Sequence, residues 1–166
     1  ALARATDRGA AAPEDSTALY RKVRMAAVDA ELMLRQLATG QRLIEQRQQN
    51  ARILLEELAG LPLTLPDPTE HVFTKFYVSL RQASRPRVVE RAPELIALIR
   101  ALLRQGFEPE LAYVPLHLRY GDDRGAFPTA EDRWWRTLAL PVRPGLGAPE
   151  VRRLGAAVRR AVSGTS

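Results

Sequence analysis

The stretch HVFTKFYVSL, residues 71–80, decides the fold of this chain. It is rich in aromatic and β-branched residues and is bounded by loop-forming segments, so it predicts a β-strand. Successive side chains of a strand point to opposite faces, and here both faces carry bulky groups, with Phe76 and Val78 on one and Phe73 and Tyr77 on the other. A strand that is bulky on both sides is predicted to lie in the middle of a sheet.

Upstream of this strand, residues 23–60 have the apolar periodicity of a long helix. Gly40 offers a position for a bend or a break between two helices, and Gly60 with Pro62 ends the pattern. Residues 61–70 contain three prolines and predict an extended linker. The apolar residues of the long helix are spaced three, four or seven apart: Leu34, Leu37, Ile44, Ala51, Leu55 and Leu58.

Downstream of the strand, helices and short strands alternate. A proline in the first turn and Gly106 after the last turn delimit a helix. The predicted elements, in order, are a helix over 93–105, a strand over 107–114, a loop over 117–127, a short helix carrying Trp134 and Trp135, a strand over 138–142, and a final helix from 149 to just before Gly164.

This order predicts an α/β chain of the small α+β kind, in which a long N-terminal helix leads into a three-stranded sheet covered by helices. The expected division is an N-terminal extension over 1–22, a connecting helix over 23–60 and a small C-terminal domain over 61–166. The chain has 166 residues, which suffices for one hydrophobic core and is short for a two-domain cofactor enzyme.

Composition excludes several classes of protein. The chain has no cysteine, so disulfides, thiolate catalysis and cysteine-ligated metals are excluded. No segment reaches the roughly 18 apolar residues of a membrane span, and the first residues have no apolar centre typical of a signal peptide; a cytoplasmic protein is therefore expected. The net charge is +6, but the arginines are scattered among acids and glutamines, so a nucleic-acid partner is not expected.

No motif of an independent active site is present, whether a dinucleotide fingerprint, a phosphate loop or a nucleophile elbow. His117 ends the segment Tyr113-Val-Pro-Leu-His117, where a strand delivers polar groups into a loop and where a ligand can be met; the alternative is a histidine hydrogen-bonded within its own surroundings. His71 is predicted to be structural. Asp122-Asp123 is read as a turn, and no metal site is predicted.

Neither the lysine within the predicted strand nor the tryptophan pair indicates a site. Lys75 lies within a strand, and nothing around it in the sequence indicates the desolvated setting of a nucleophilic lysine. Of Trp134 and Trp135, one ring is expected in the core and the other at the surface or an interface.

Across nearly its whole length, residues 4–162, the chain resembles the C-terminal portion of the DegT-type (DegT/DnrJ/StrS) sugar aminotransferases, which are fold-type I pyridoxal-phosphate enzymes. Each shared motif is weak alone, but their order and spacing are fairly specific. The motifs are Arg24-Met25, Gln36-Leu37, Arg47-x-x-x-Ala51, the His71-Val-Phe strand, Gly106, Tyr113-x-Pro-Leu-His117, Phe127-Pro-x-Ala-Glu131, Leu140-Pro-x-x-Pro144 and Glu150-Val151.

The resemblance implies that the cofactor-holding lysine, the aromatic residue stacked on the cofactor and the acid that pairs with its nitrogen lie upstream of the region matched here. The family has Asn-x-Arg-Met where this chain has Lys22-Val-Arg24-Met25, and that asparagine reaches the cofactor phosphate of the neighbouring subunit. Lys22 and Arg24 are therefore candidates for that contact, with lysine acting as a point charge. In the family the Tyr113–His117 region approaches the sugar substrate, which makes Tyr113 and His117 candidate substrate-binding residues.

Two hypotheses follow. The first is the C-terminal domain of a nucleotide-sugar aminotransferase-like protein, which needs pyridoxal phosphate only together with the missing N-terminal half or a homologous subunit and is inactive alone. The second is a non-catalytic accessory or dimerisation domain derived from that family, which uses the long helix to bind a partner. The replacement of the asparagine by Lys22, and Ala26 and Ala27 after Met25, favour the second.

Overall fold

The computed structural model describes residues 26–69, 71–86, 91–121 and 125–163. These residues form a mixed α/β fold, as the sequence predicts, and it contains a small antiparallel sheet and five helices, one more helix than expected. The helices are α1 (Ala27–Leu58), α2 (Pro93–Leu103), α3 (Leu116–Tyr120), α4 (Pro128–Arg136) and α5 (Ala148–Ser163). The strands are β1 (Leu63–Thr64), β2 (Phe76–Leu80), β3 (Glu110–Leu111) and β4 (Thr137–Leu140).

The sheet has the order β1-β2-β4-β3, and every neighbouring pair is antiparallel. β2 is central, as its two bulky faces predict, and its partners place Phe76 opposite Leu140 and Val78 opposite Leu138. The sheet has one strand more than the three expected, because β1, inside the predicted linker, pairs Leu63 with Leu80. Two residues are too few to leave a pattern of alternation in the sequence.

The central strand is shorter than the stretch that predicts it. Phe73 has a left-handed φ of 49° and donates its backbone N–H to Nδ1 of His71 at 2.8 Å. That local turn takes residues 71–75 out of the ladder, so pairing begins at Phe76. β3 is also shorter than predicted, because Pro109 has no N–H to donate and limits pairing to Glu110 and Leu111.

Helix α1 is continuous through Gly40, so a break at that residue is not present. Only its second half enters the core, where Ala51, Leu54 and Leu58 are buried. They pack with α5, which in turn contacts α2. The hydrophobic core brings these helices together with the buried side chains of the sheet, which include Leu63, Phe76, Val78, Leu80, Leu138 and Leu140.

The first half of α1, unlike the second, does not pack into the core. Large apolar side chains remain exposed there, among them Val28 at 71% and Leu37 at 69% of their full accessible area. Side chains of the described part of α1 that precede Asn50 are exposed or half-buried throughout. Among the described residues no helix is long and apolar enough to cross a membrane.

Candidate functional site

The sequence-predicted site residues fall into two groups. Lys22 and Arg24 lie outside the described residues, as do Asp122 and Asp123. Tyr113 follows β3, and His117 lies in the first turn of α3, where a loop was expected. Pro115 is the N-cap of this five-residue helix, which is too short to show an apolar period.

His117 is held by an acid that sequence reasoning had not singled out for a role. Its Nε2 lies 2.9 Å from Oε1 of Glu131 in α4, and the side chains of the two residues are only 11% and 9% exposed. The same oxygen accepts the backbone N–H of Gly125 at 2.7 Å, and Phe127 lies against the imidazole with ring centroids 4.9 Å apart. The alternative that His117 is hydrogen-bonded within its own surroundings therefore holds for Nε2, whose partner is Glu131.

The carboxyl of Glu131 is stabilised in its ionised form. The hydrogen bond from the Gly125 N–H, then that from His117, and the charge of Arg85 3.9 Å from Oε2 together hold the pKa of Glu131 below its ordinary value. Glu131 appears in the sequence as part of the Phe127-Pro-x-Ala-Glu131 motif. His117 and Glu131 are 14 residues apart in the sequence and lie in different helices. No helix or strand period in the sequence therefore reveals their contact.

Tyr113 lies in a different environment from His117. Its side chain is 81% exposed, and the ammonium of Lys75 lies 5.2 Å from the centre of its ring. It borders a cavity of about 630 Å³ on the outer face of the sheet, a size typical of small-molecule sites. The lining includes Tyr77, Ser79, Tyr113, Arg133, Trp134 and Thr137.

The residue before Tyr113 is anchored by Arg91. The guanidinium of Arg91 donates to the carbonyls of Ala112 and Trp134 and stacks over the Trp134 ring at 4.4 Å. Burial lowers the pKa of Arg91 to about 10, so the group is still charged at neutral pH. Arg91 thereby connects the chain before α2 with the end of α4 and with the backbone leading into Tyr113.

The described lysine does not fit the role of a cofactor-holding nucleophile. Lys75 forms an ion pair with Glu110, and this partner raises the pKa of Lys75. A nucleophilic lysine needs the opposite, a lowered pKa that frees the amine. The sequence has one further lysine, Lys22, which lies outside the described residues.

Two other sequence predictions have clear outcomes. His71 is structural, since Nδ1 accepts the Phe73 N–H and its ring stacks on Phe73 at 4.3 Å. Trp134 and Trp135 are each only 8% exposed, so the prediction that one ring lies in the core holds and the surface alternative for the other ring was wrong. Both rings belong to the hydrophobic core, and Arg91 lies over the ring of Trp134. No group of three or more metal-ligating side chains occurs in the described ranges.

Solved structures with this fold are numerous. The chain is similar to Spr1654 from Streptococcus pneumoniae in its PMP form (TM-score 0.75, 20% identity, covering 86% of this chain and 36% of that one), a protein also solved in a PLP form. It is similar to DesV of S. venezuelae (TM-score 0.67, 28% identity, 82% and 36%). It is also similar to DesI, solved in the presence of its TDP-sugar product (TM-score 0.62, 20% identity, 77% and 33%).

The chain thus spans only about a third of the length of these proteins. A comparison with curated proteins gives no match. The sequence profile of one family, however, matches residues 8–159, which is most of the chain. The chain therefore belongs to the DegT/DnrJ/EryC1/StrS aminotransferase family.

Proposed function

We propose that this chain forms the C-terminal part of a pyridoxal-phosphate-dependent nucleotide-sugar aminotransferase of natural-product or cell-surface amino-sugar biosynthesis. The cofactor-holding lysine comes from another portion, on the same or a second polypeptide, and these 166 residues alone are inactive. Family membership supports the reaction class, and coverage of about a third of each similar structure supports the partial character. A cytoplasmic location remains a prediction from the sequence.

The first half of α1 is the observation that carries this proposal. Val28, Leu32, Leu34 and Leu37 are each more than half exposed, and they lie within three turns of one helix. They lie on different sides of the helix, and so many large apolar side chains left exposed on one segment indicate a surface that a partner covers. The partner is expected to be the cofactor-bearing portion or a homologous subunit, and we expect neither a membrane nor a nucleic acid as the partner.

Residues of this chain would bind and orient the substrate and would not take part in the transfer of the amino group. Pyridoxal phosphate, when bound, supplies the transfer chemistry. Tyr113 offers an exposed ring and hydroxyl at the mouth of the cavity on the outer sheet face, and His117 offers the edge of its ring that does not contact Glu131. Lys22 and Arg24 are proposed to contact the phosphate of the cofactor in a neighbouring subunit.

Spectroscopy of the isolated chain tests this proposal. Mixed with pyridoxal phosphate, the chain is expected to develop no visible absorption band of a lysine-bound cofactor and to transfer no amino group, because Lys75 is held as an ammonium by Glu110. Turnover by the chain alone, or stable cofactor attachment to Lys75 after borohydride reduction, would overturn it. A Lys75→Arg variant separates specific attachment at that residue from incidental labelling elsewhere.

The alternative is a non-catalytic dimerisation domain, for which the same exposed half of α1 is the supporting observation. Light scattering of the purified chain distinguishes the two. A stable homodimer that Leu37→Glu dissociates, and that neither pyridoxal phosphate nor TDP-glucose affects, would favour the alternative. A chain that assembles only with a cofactor-bearing protein favours the aminotransferase.

A further inference from the structure

A single carboxylate oxygen joins three segments of the chain around His117. Oε1 of Glu131 accepts the backbone N–H of Gly125 at 2.7 Å and lies 2.9 Å from Nε2 of His117. Gly125 adopts a left-handed φ of 84°, a conformation that suits glycine, and so directs its N–H at the oxygen. The contact connects α4, the chain leading into it and α3.

The direction of the hydrogen bond to His117 follows from its partner. An ionised carboxylate only accepts hydrogen bonds, and the contacts of Glu131 keep its pKa low. Nε2 of His117 must therefore carry the proton and donate. Phe127 packs against the same imidazole at 4.9 Å, so both the protonated nitrogen and the plane of the ring are fixed by neighbours.

We propose that Glu131 is a positioning residue that fixes His117 as the Nε2–H tautomer through the oxygen it shares with the Gly125 N–H. Among the residues that the structure describes, Nδ1 has no hydrogen-bond partner, and it is the nitrogen that we assign to a ligand. In the neutral ring Nδ1 accepts a hydrogen bond, so the complementary ligand group is an O–H or N–H donor, such as a sugar hydroxyl. This last step, unlike the first, rests on the proposed function.

Nitrogen NMR of the imidazoles tests the tautomer, since ¹⁵N shifts of a neutral ring report which nitrogen is protonated. His71 and His117 are the two histidines of the chain, and His71 is an internal control because its Nδ1 accepts from Phe73 and its tautomer is independent of Glu131. We expect both rings as Nε2–H in the unmodified chain. In Glu131→Ala, His117 should become a mixture of tautomers while His71 stays unchanged.

Glu131→Gln is the conservative variant. Its amide oxygen can still accept from both Gly125 and His117, so the Nε2–H form of His117 should be retained. The proposal is overturned if His117 is Nδ1–H or mixed in the unmodified chain, if Glu131→Ala leaves its tautomer unchanged, or if Glu131→Gln behaves as Glu131→Ala does. A variant that unfolds is recognised by a simultaneous change in the signals of His71.

The ligand step is tested separately with TDP-glucose. His117→Gln keeps an N–H near the position of Nε2 for Glu131 but removes the acceptor at Nδ1, so the dissociation constant should rise about five-fold, the value of one hydrogen bond. An unchanged dissociation constant would remove His117 from the substrate site and leave the tautomer assignment standing. No binding of TDP-glucose to the unmodified chain, with the tautomer as expected, would contradict the proposed substrate face alone.

Discussion

Gly155 of α5 lies directly against Glu57 of α1, so close that a β-carbon added at position 155 would stand 2.5 Å from the Glu57 β-carbon. This is the crossing at which the two most extensively packed helices meet. Arg152 and Arg159 of α5 also bond to Glu57, the first to its carboxylate at 3.3 Å and the second to its carbonyl. A glycine at this position therefore sets the distance between the helices.

Gly155→Ala is expected to lower the free energy of unfolding by about 1–3 kcal/mol, because the added methyl group must push backbone-proximal atoms of α1 away. Gly40→Ala is the matched control. That position has no atom within 4 Å of an added β-carbon, so the gain in helix propensity should raise stability by up to about 1 kcal/mol. Urea unfolding measures the change in unfolding free energy of each variant. Equal changes at the two glycines would contradict the close contact between α1 and α5 at Gly155.

The two halves of α1 should respond differently to the same truncation. Leu54 is fully buried and Leu37 is 69% exposed. Leu54→Ala is expected to cost about 2–5 kcal/mol of unfolding free energy through lost burial and a residual cavity. Leu37→Ala should change it by less than about 0.5 kcal/mol. A large cost at Leu37 in the purified chain would show that the first half of α1 is already packed in solution.

Much of this fold is predictable from the sequence, and the exceptions share a cause. β2, α2 and α5 carry a clear period of two or near 3.6 over five residues or more, and each is found where expected. Two-residue β1 and five-residue α3 are too short to show any period. The left-handed Phe73 depends on a bond to His71, and the pairing of His117 with Glu131 depends on the fold bringing two helices together.

Acid should weaken the fold partly through Glu131. Its pKa is lowered in the folded state from an ordinary value of 4.5, so its ionised form stabilises the fold above that pH, and the contribution is lost as the pH falls from 4.5 through the lowered pKa. The stability difference between the unmodified chain and Glu131→Gln should therefore shrink over the range in which the pH falls below 4.5. A difference that is constant over this range, measured by urea unfolding, would contradict the assignment.

Arg91 is expected to shield Trp134 from water and to hold the backbone before Tyr113 in place. Arg91→Met keeps much of the apolar stem but removes the donors to the carbonyls of Ala112 and Trp134. We expect a loss of about 1–3 kcal/mol of unfolding free energy and a red shift of tryptophan emission as water reaches Trp134. Arg104→Met, at the exposed end of α2, is the control, and equal responses of the two variants would argue against a specific role for Arg91.

The DNA immediately upstream of this coding region tests the central claim most directly. We predict that it encodes the cofactor-bearing part of the same family, with the lysine that holds the cofactor, either in frame or as an adjacent reading frame. An upstream region and neighbouring genes without any such part would contradict the assignment of this chain to an aminotransferase assembly.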